Sequence, residues 1–306
     1  MAKYKIPTIQ DLIDSGAHFG HNVRRWHPKM EKYIYTVNKN VHIIDLEETE
    51  KLLKNACDFL YETAKNGKPV VFVGTKRQSR EIVEAEARRC GAMYVTERWI
   101  GGTITNFKMI KKNLDKLIDY IKGKKEGAFD KYTKKERLLL ERESEKNMLV
   151  YGGIINMKGT PGALFIIDPK REKTAIREAM RSGVKTVALI DTNSDPTDLD
   201  YPIPGNDDAL KPLALIVKTI SSAVEEGYKE WDKIKKENNT VNDEIKEDEN
   251  IKNSSDLIPE ENIEKIEKEV EKVVVENKEK SVEKPILKGE NKDTKKKSRS
   301  KKEDKK

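Results

Sequence analysis

The sequence predicts an α/β protein in which an open parallel β-sheet is covered by helices on both faces, with an inserted antiparallel helical hairpin and a charged C-terminal tail. Short continuous apolar runs, PVVFVG, ALFIID and TVALID, alternate with stretches of helical spacing, as expected of strands buried on both faces. Phe107, Ile110, Leu114, Leu117 and Ile121 follow the three-four spacing of a coiled-coil seam. The charge is also partitioned. Residues 229–306 hold 22 Lys/Arg and 22 Asp/Glu, so the whole net charge of +7 falls on residues 1–228.

Taken in order, Thr8 caps a short helix with Ile9, Leu12 and Ile13 on one face, and Gly16 stops it. HFGHNVRRWHPKMEKY then reads as an irregular basic stretch. YIYTV and VHIID are short strands around the turn residues Asn38, Lys39 and Asn40. Asp45 with Glu48 forms a capping-box pattern before a helix whose Leu52, Ala56, Phe59, Leu60 and Thr63 share a face, ending at Gly67. After PVVFVG comes a helix from about Ser79 to Cys90, then the strand AMYV. ALFIID, a helix ending near Gly183, TVALID and a helix from Leu210 to Glu226 complete the alternation.

The hairpin occupies residues 107–150 of the body (1–228): GKKEGAFD interrupts the seam, and a more charged helix returns from about Thr133. Its outer surface carries Lys108, Lys111, Lys112 and further lysines, which suit either a polyanion or plain solvation. The tail, 229–306, is rich in Lys, Glu and Asn, so it lacks the apolar surface needed to offset its ordering entropy and is expected to be disordered. One island, Ile263, Ile266, Val270 and Val273, has heptad spacing; Trp231, at the tail's root, is expected to pack back on the body.

Cys57 and Cys90 lie in predicted helices without CxxC spacing, which fits buried thiols in a reducing compartment. The N-terminus lacks the apolar core of a signal peptide and no run approaches the ~20 apolar residues of a membrane span, so no membrane partner and a cytoplasmic location are expected. The basic excess on the body fits a polyanionic partner.

GTKRQS follows a strand and opens a helix, where α/β proteins hold phosphates, but it matches neither G-x-G-x-x-G nor the P-loop pattern, so no cofactor is required. Lys76, Arg77 and Arg80 there could instead receive an RNA phosphate. Asp191, Asp207 and Asp208, with Asp168 and Asp195, fall after strands, where the sheet's C-terminal edge could gather them. They either cap loops and helices or, with His18 or His21, hold a structural divalent metal. A metal- or nucleotide-dependent enzyme using this edge is the alternative function.

HFGHNVRRWHPKM, NKNVHIIDLEET, VVFVGTKRQSRE, RWIGGTITNF, FDKYTKKE, YGGI, ALFIID and DTNSDPTDLDYPIPGNDDA, in this order, closely resemble the bacterial family of the second small-subunit ribosomal protein. The resemblance spans roughly residues 6–227. Departures are His27, where the family usually has Asn, and Thr160 and Gly162, where it usually has Leu and Asp.

The resemblance implies a flavodoxin-like sheet bearing a coiled-coil hairpin. It also implies a non-enzymatic role bound late in assembly to small-subunit ribosomal RNA between head and body, helping to dock the largest small-subunit protein. No stable homo-oligomer is expected. Within the matched motifs, Arg24, Arg25 and Lys29 suit phosphates, Trp26 offers a stacking face, and His27 adjoins them. Arg98 and Trp99 repeat the combination beside Gly101 and Gly102, which permit close approach of a phosphate. For each Trp the alternative is a core anchor. No Asn/Gln pattern accompanies these cations in the sequence, so phosphate contact without base-edge readout is the expectation.

Overall fold

The computed structural model describes residues 4–246 of the chain, with side chains as far as residue 237. Helix α1 (Ile9–Ser15) begins at Thr8, whose hydroxyl accepts from the Asp11 amide while Asp11 reaches back to the Thr8 amide, and it stops at a left-handed Gly16. The basic stretch expected to be irregular contains a strand, β1 (Phe19–Asn22), flanked on its C-terminal side by two 3-10 turns. It joins β2 (Ile34–Asn38) and β3 (Val41–Ile44) in an antiparallel sheet of order β1-β3-β2. FGHN has no apolar alternation to announce a strand. Pairing with β3 and contact with a distant loop create it: the His21 amide donates to Thr192 Oγ1 at 2.8 Å, and a Cβ on Gly20 would lie 2.6 Å from Thr192 Cγ2.

Lys39 and Asn40 both have positive φ, as a two-residue hairpin turn requires. Helix α2 (Leu46–Lys65) starts at Asp45, which caps the Glu47 amide at 3.0 Å rather than forming a box with Glu48.

The parallel sheet follows. It comprises β4 (Val70–Val73), β5 (Met93–Val95), β6 (Ala163–Ile167), β7 (Lys185–Ile190) and β8 (Tyr201–Pro204), in the order β5-β4-β6-β7-β8. Numbered within the sheet this is 2-1-3-4-5, the flavodoxin-like order. β8 escapes sequence reading because YPIP carries two prolines; a strand with missing N–H groups is tolerated at the sheet edge, where it lies.

Alternate residues supply the two cores. Val70 and Phe72 face α2, α3 (Arg80–Cys90) and α7 (Leu210–Lys246). Val71 and Val73 face the side covered by α4 (Phe107–Lys125) and α6 (Lys173–Ser182).

The inserted hairpin is α4 followed by α5 (Lys134–Tyr151), the latter opened by a capping box between Thr133 and Glu136. Ile110, Leu114 and Leu117 are buried, and Phe107 and Ile121 partly so, in a cluster shared with Met148, Val150 and Tyr151 of α5. Lys124 and Glu141 bridge the two helices at 3.2 Å.

Helix α7 overruns its expected end at Glu226 and continues to Lys246, so residues 229–246 of the segment expected to be disordered are helical. The reason is docking at the root. The Tyr228 hydroxyl accepts from the Val70 amide at 2.9 Å, and Trp231 lies against Gly67, where a Cβ would come within 2.5 Å of the indole. Once several turns are fixed, each further residue adds a hydrogen bond at little nucleation cost. Residues 247–306, with the Ile263–Val273 island and the disorder expected there, lie outside the described residues.

Candidate functional site

The C-terminal ends of β4, β6 and β7 form the edge where open α/β sheets place their ligands. His21 Nδ1 lies 2.9 Å from Asp191 Oδ2, and its Nε2 is 3.4 Å from Asp208 Oδ2 and 2.9 Å from the Asn193 amide nitrogen. Lys76 Nζ bridges Asp207 and Asp208, at 2.8 and 2.5 Å. One ligand atom from each of His21, Asp191, Asp207 and Asp208 lies within 4.8 Å of the other three. Asp207 is fully buried and its Oδ2 has no hydrogen-bond partner among the described residues.

Burial, reinforced by the neighbouring Asp191 charge, pushes the Asp207 carboxyl well above the ordinary carboxylate range. The hydrogen bond to Asp191 raises the His21 pKa against the opposing effect of burial. For Lys76, burial works downward but Asp207 and Asp208 outweigh it, so its pKa rises.

The sequence points to the three aspartates at this edge and leaves His18 and His21 as alternatives; the structure brings His21 to them. His18 packs against Phe19 with the rings tilted and their centroids 4.0 Å apart, and takes no part in the cluster, whereas His21 on β1 does. The choice depends on how β1 is pinned to Thr192, which no local spacing reveals.

The structure sorts the basic candidates into engaged and free. Lys76 is largely buried in its aspartate pair and does not offer its ammonium to a phosphate. Lys29 pairs with Asp195 at 3.1 Å and with Thr197, and His27 Nε2 lies 3.8 Å from the same aspartate. Arg80 holds Glu97 with both carboxylate oxygens, closing the anion cradle read from GTKRQS. Arg24, Arg25, Arg77, Arg98, Lys108, Lys111 and Lys112 are exposed, with no ion-pair partner among the described residues. Trp26 is half-buried, its ring 5.1 Å from that of His42.

Of the two readings of Trp99, a stacking face for RNA and a core anchor, the structure supports the core anchor: it is buried, and its indole N–H donates to Glu178 Oε1 at 3.2 Å. The same carboxylate accepts from the amides of Gly102, Ile104 and Thr105 and from the Thr105 hydroxyl. The Gly102 amide therefore serves a buried carboxylate rather than a phosphate. Sequence reasoning passed over Glu178, although an acid beside Ala175, Ile176 and Ala179 on the apolar side of α6 is an available signal.

The family model for ribosomal protein S2 matches residues 12–227. This chain belongs to the ribosomal protein S2 family. It is 44% identical over 220 residues to the small ribosomal subunit protein uS2 of Geotalea uraniireducens, covering 72% of this chain and 86% of that one. To the uS2 protein of a Nitratiruptor species it is 47% identical over 72% of this chain and 82% of the relative. To that of Treponema pallidum it is 47% identical over 74% and 77%.

Membership of the S2 family makes the chain a structural protein of the small ribosomal subunit and sets aside the enzymatic reading of the aspartate edge. No helix among the described residues is long and apolar enough to cross a membrane.

Proposed function

We propose that this S2-family protein binds ribosomal RNA of the small subunit between head and body in the cytoplasm. In this reading it joins late in subunit assembly and helps dock the largest small-subunit protein. The observation that carries the RNA-binding reading is the set of exposed arginines and lysines left without counter-ions, Arg24, Arg25, Arg77 and Arg98 on the body and Lys108, Lys111 and Lys112 on the hairpin. Exposed and without an ion-pair partner among the described residues, these cations are available to an external polyanion, which the net charge of +7 favours. Sucrose-gradient fractionation of a lysate tests it: the protein should sediment with small subunits and leave them at high salt. Sedimentation as free protein at low salt would overturn the reading.

Arg24→Ala, Arg25→Ala and Arg98→Ala are each expected to weaken binding to a small-subunit RNA fragment. Each should also flatten the log-log salt dependence by about 0.7 to 0.9, because each lost phosphate contact no longer releases counterion. Lys29→Ala should change the slope less, since Asp195 already holds its ammonium. Salt titrations of the four variants against wild type decide the matter. An unchanged slope in all three arginine variants would move the RNA surface to the hairpin lysines.

We also propose that His21, Asp191, Asp207 and Asp208 hold a structural divalent cation. Asp207 and Asp208 share Lys76 while Asp191 is held by His21, and Asp207 Oδ2 has no donor among the described residues. Mixed imidazole and carboxylate ligands suit Zn²⁺ better than Mg²⁺ or Ca²⁺. Zinc should therefore raise the unfolding temperature, with a stabilisation of about 2.7 kcal/mol at roughly a hundredfold excess over its Kd. Asp208 is 53% exposed at its side chain, so Asp208→Asn should fold yet lose most of the shift. Equal zinc shifts in both proteins would dismiss the site.

A further inference from the structure

Where β1 ends and the chain turns through Val23–Arg25, it meets the tip of the β2–β3 hairpin. The junction borders a solvent-open pocket of about 610 Å³ lined by Asn22, Val23, Arg24, Arg25 and Asn40. Its backbone is fixed: the Val23 amide donates to the Asn40 carbonyl at 3.0 Å, and the Arg24 amide donates to Asn22 Oδ1 at 3.0 Å. Because a backbone N–H needs an oxygen, that second bond also settles how the Asn22 amide is turned, and its NH₂ group is left without a partner among the described residues. The Asn40 side chain has no hydrogen-bond partner among the described residues, and neither guanidinium has an ion pair. Asn40 stands there because the hairpin turn demands positive φ at its position, 63°, which Asn tolerates.

We infer that this pocket receives one unstacked nucleotide of RNA, and that the base is adenine. Its volume lies within the ~300–1,000 Å³ range of small-ligand pockets. Two free guanidiniums supply charge for the phosphate and a flat cation for the base face. Two asparagine amides present unused donors and an acceptor, and an Asn amide pairs with the N6–N7 edge of adenine through both its groups. Single-stranded bases splayed into side-chain pockets are the usual target of sequence-specific RNA recognition. The inference adds base readout to a surface that the sequence, with Asn22 and Asn40 far apart, presents as phosphate contact alone. It rests on the RNA-binding reading above.

The test uses the full-length protein and fluorescently labelled short homopolymers of adenylate, cytidylate and uridylate, with a small-subunit RNA fragment as a parallel arm, across a salt series. Wild type should prefer adenylate by about fivefold or more. Asn22→Ser keeps an oxygen for the Arg24 amide and Asn40→Gly accepts the positive φ, so the double variant keeps the local backbone. In it the preference should fall to about one while the salt slope stays. Arg24→Ala and Arg25→Ala should weaken all three homopolymers and flatten the slope by about 0.7 each. A wild type without preference, or a double variant that keeps it, overturns the adenine pocket. In that event continued salt-sensitive binding of the ribosomal fragment leaves the RNA-binding reading standing, and its loss removes both.

Discussion

Glu178→Ala is expected to destabilise the protein by about 3–5 kcal/mol, because an unpaired buried donor costs about 1–3 kcal/mol and this substitution strands several at once. The carboxylate is the common acceptor for Trp99 Nε1 and the amides of Gly102 at 2.7 Å, Ile104 at 3.0 Å and Thr105 at 3.3 Å. Thr105 can turn to water, since it is exposed. Ile104 and Trp99 are buried and cannot. The loop from Trp99 to Asn106 then loses the group that shapes it, and Arg98 at its start loses its mounting. Glu178→Gln should recover part of the loss, since one amide oxygen still accepts while the NH₂ opposes the remaining donors. Urea denaturation of both variants tests this, and a loss below about 1 kcal/mol for Glu178→Ala would mean that the loop is held by its apolar contacts instead.

Leu117→Ala is expected to cost about 2–5 kcal/mol, the range for removing a fully buried leucine when the cavity collapses only in part. Leu117 is 1% exposed in the cluster that joins the hairpin's root to one face of the parallel sheet. Leu149 on the returning helix is 66% exposed, and Leu149→Ala should stay within about 0.5 kcal/mol. Thermal unfolding of the two variants side by side isolates burial from helix propensity, because each replaces leucine by alanine inside a helix. Equal small shifts would show that the seam is not packed.

Much of this fold was legible because its signals are local. VVFV, ALFII and TVALI each bury every residue, or all but one, of a strand covered on both sides, and such a run has no other simple solution. The helix ends were legible for the same reason: Gly16, Gly91 and Gly183 take left-handed φ just where the amphipathic pattern stops. Two strands were not. β1 has a mixed sequence and exists through its partners, and β8 carries prolines that only an edge position tolerates.

The candidate sites divide along the same line. By itself the sequence determined the α/β alternation, the hairpin seam, the family, and which segments carry cations and carboxylates, since each follows from residue type and spacing along the chain. Only the tertiary structure decided which of those groups are free. Lys76 is consumed by Asp207 and Asp208, more than 130 positions away; Trp99 is consumed by Glu178; and His21, not His18, reaches Asp191. The physical reason is that a charge or an amide is defined by what neutralises or hydrogen-bonds it. Those partners are brought by strand order and loop closure, which local spacing does not encode. The meeting of Asn22 and Asn40 beside Arg24 and Arg25 is the same kind of fact, made by the pairing of β1 with β3.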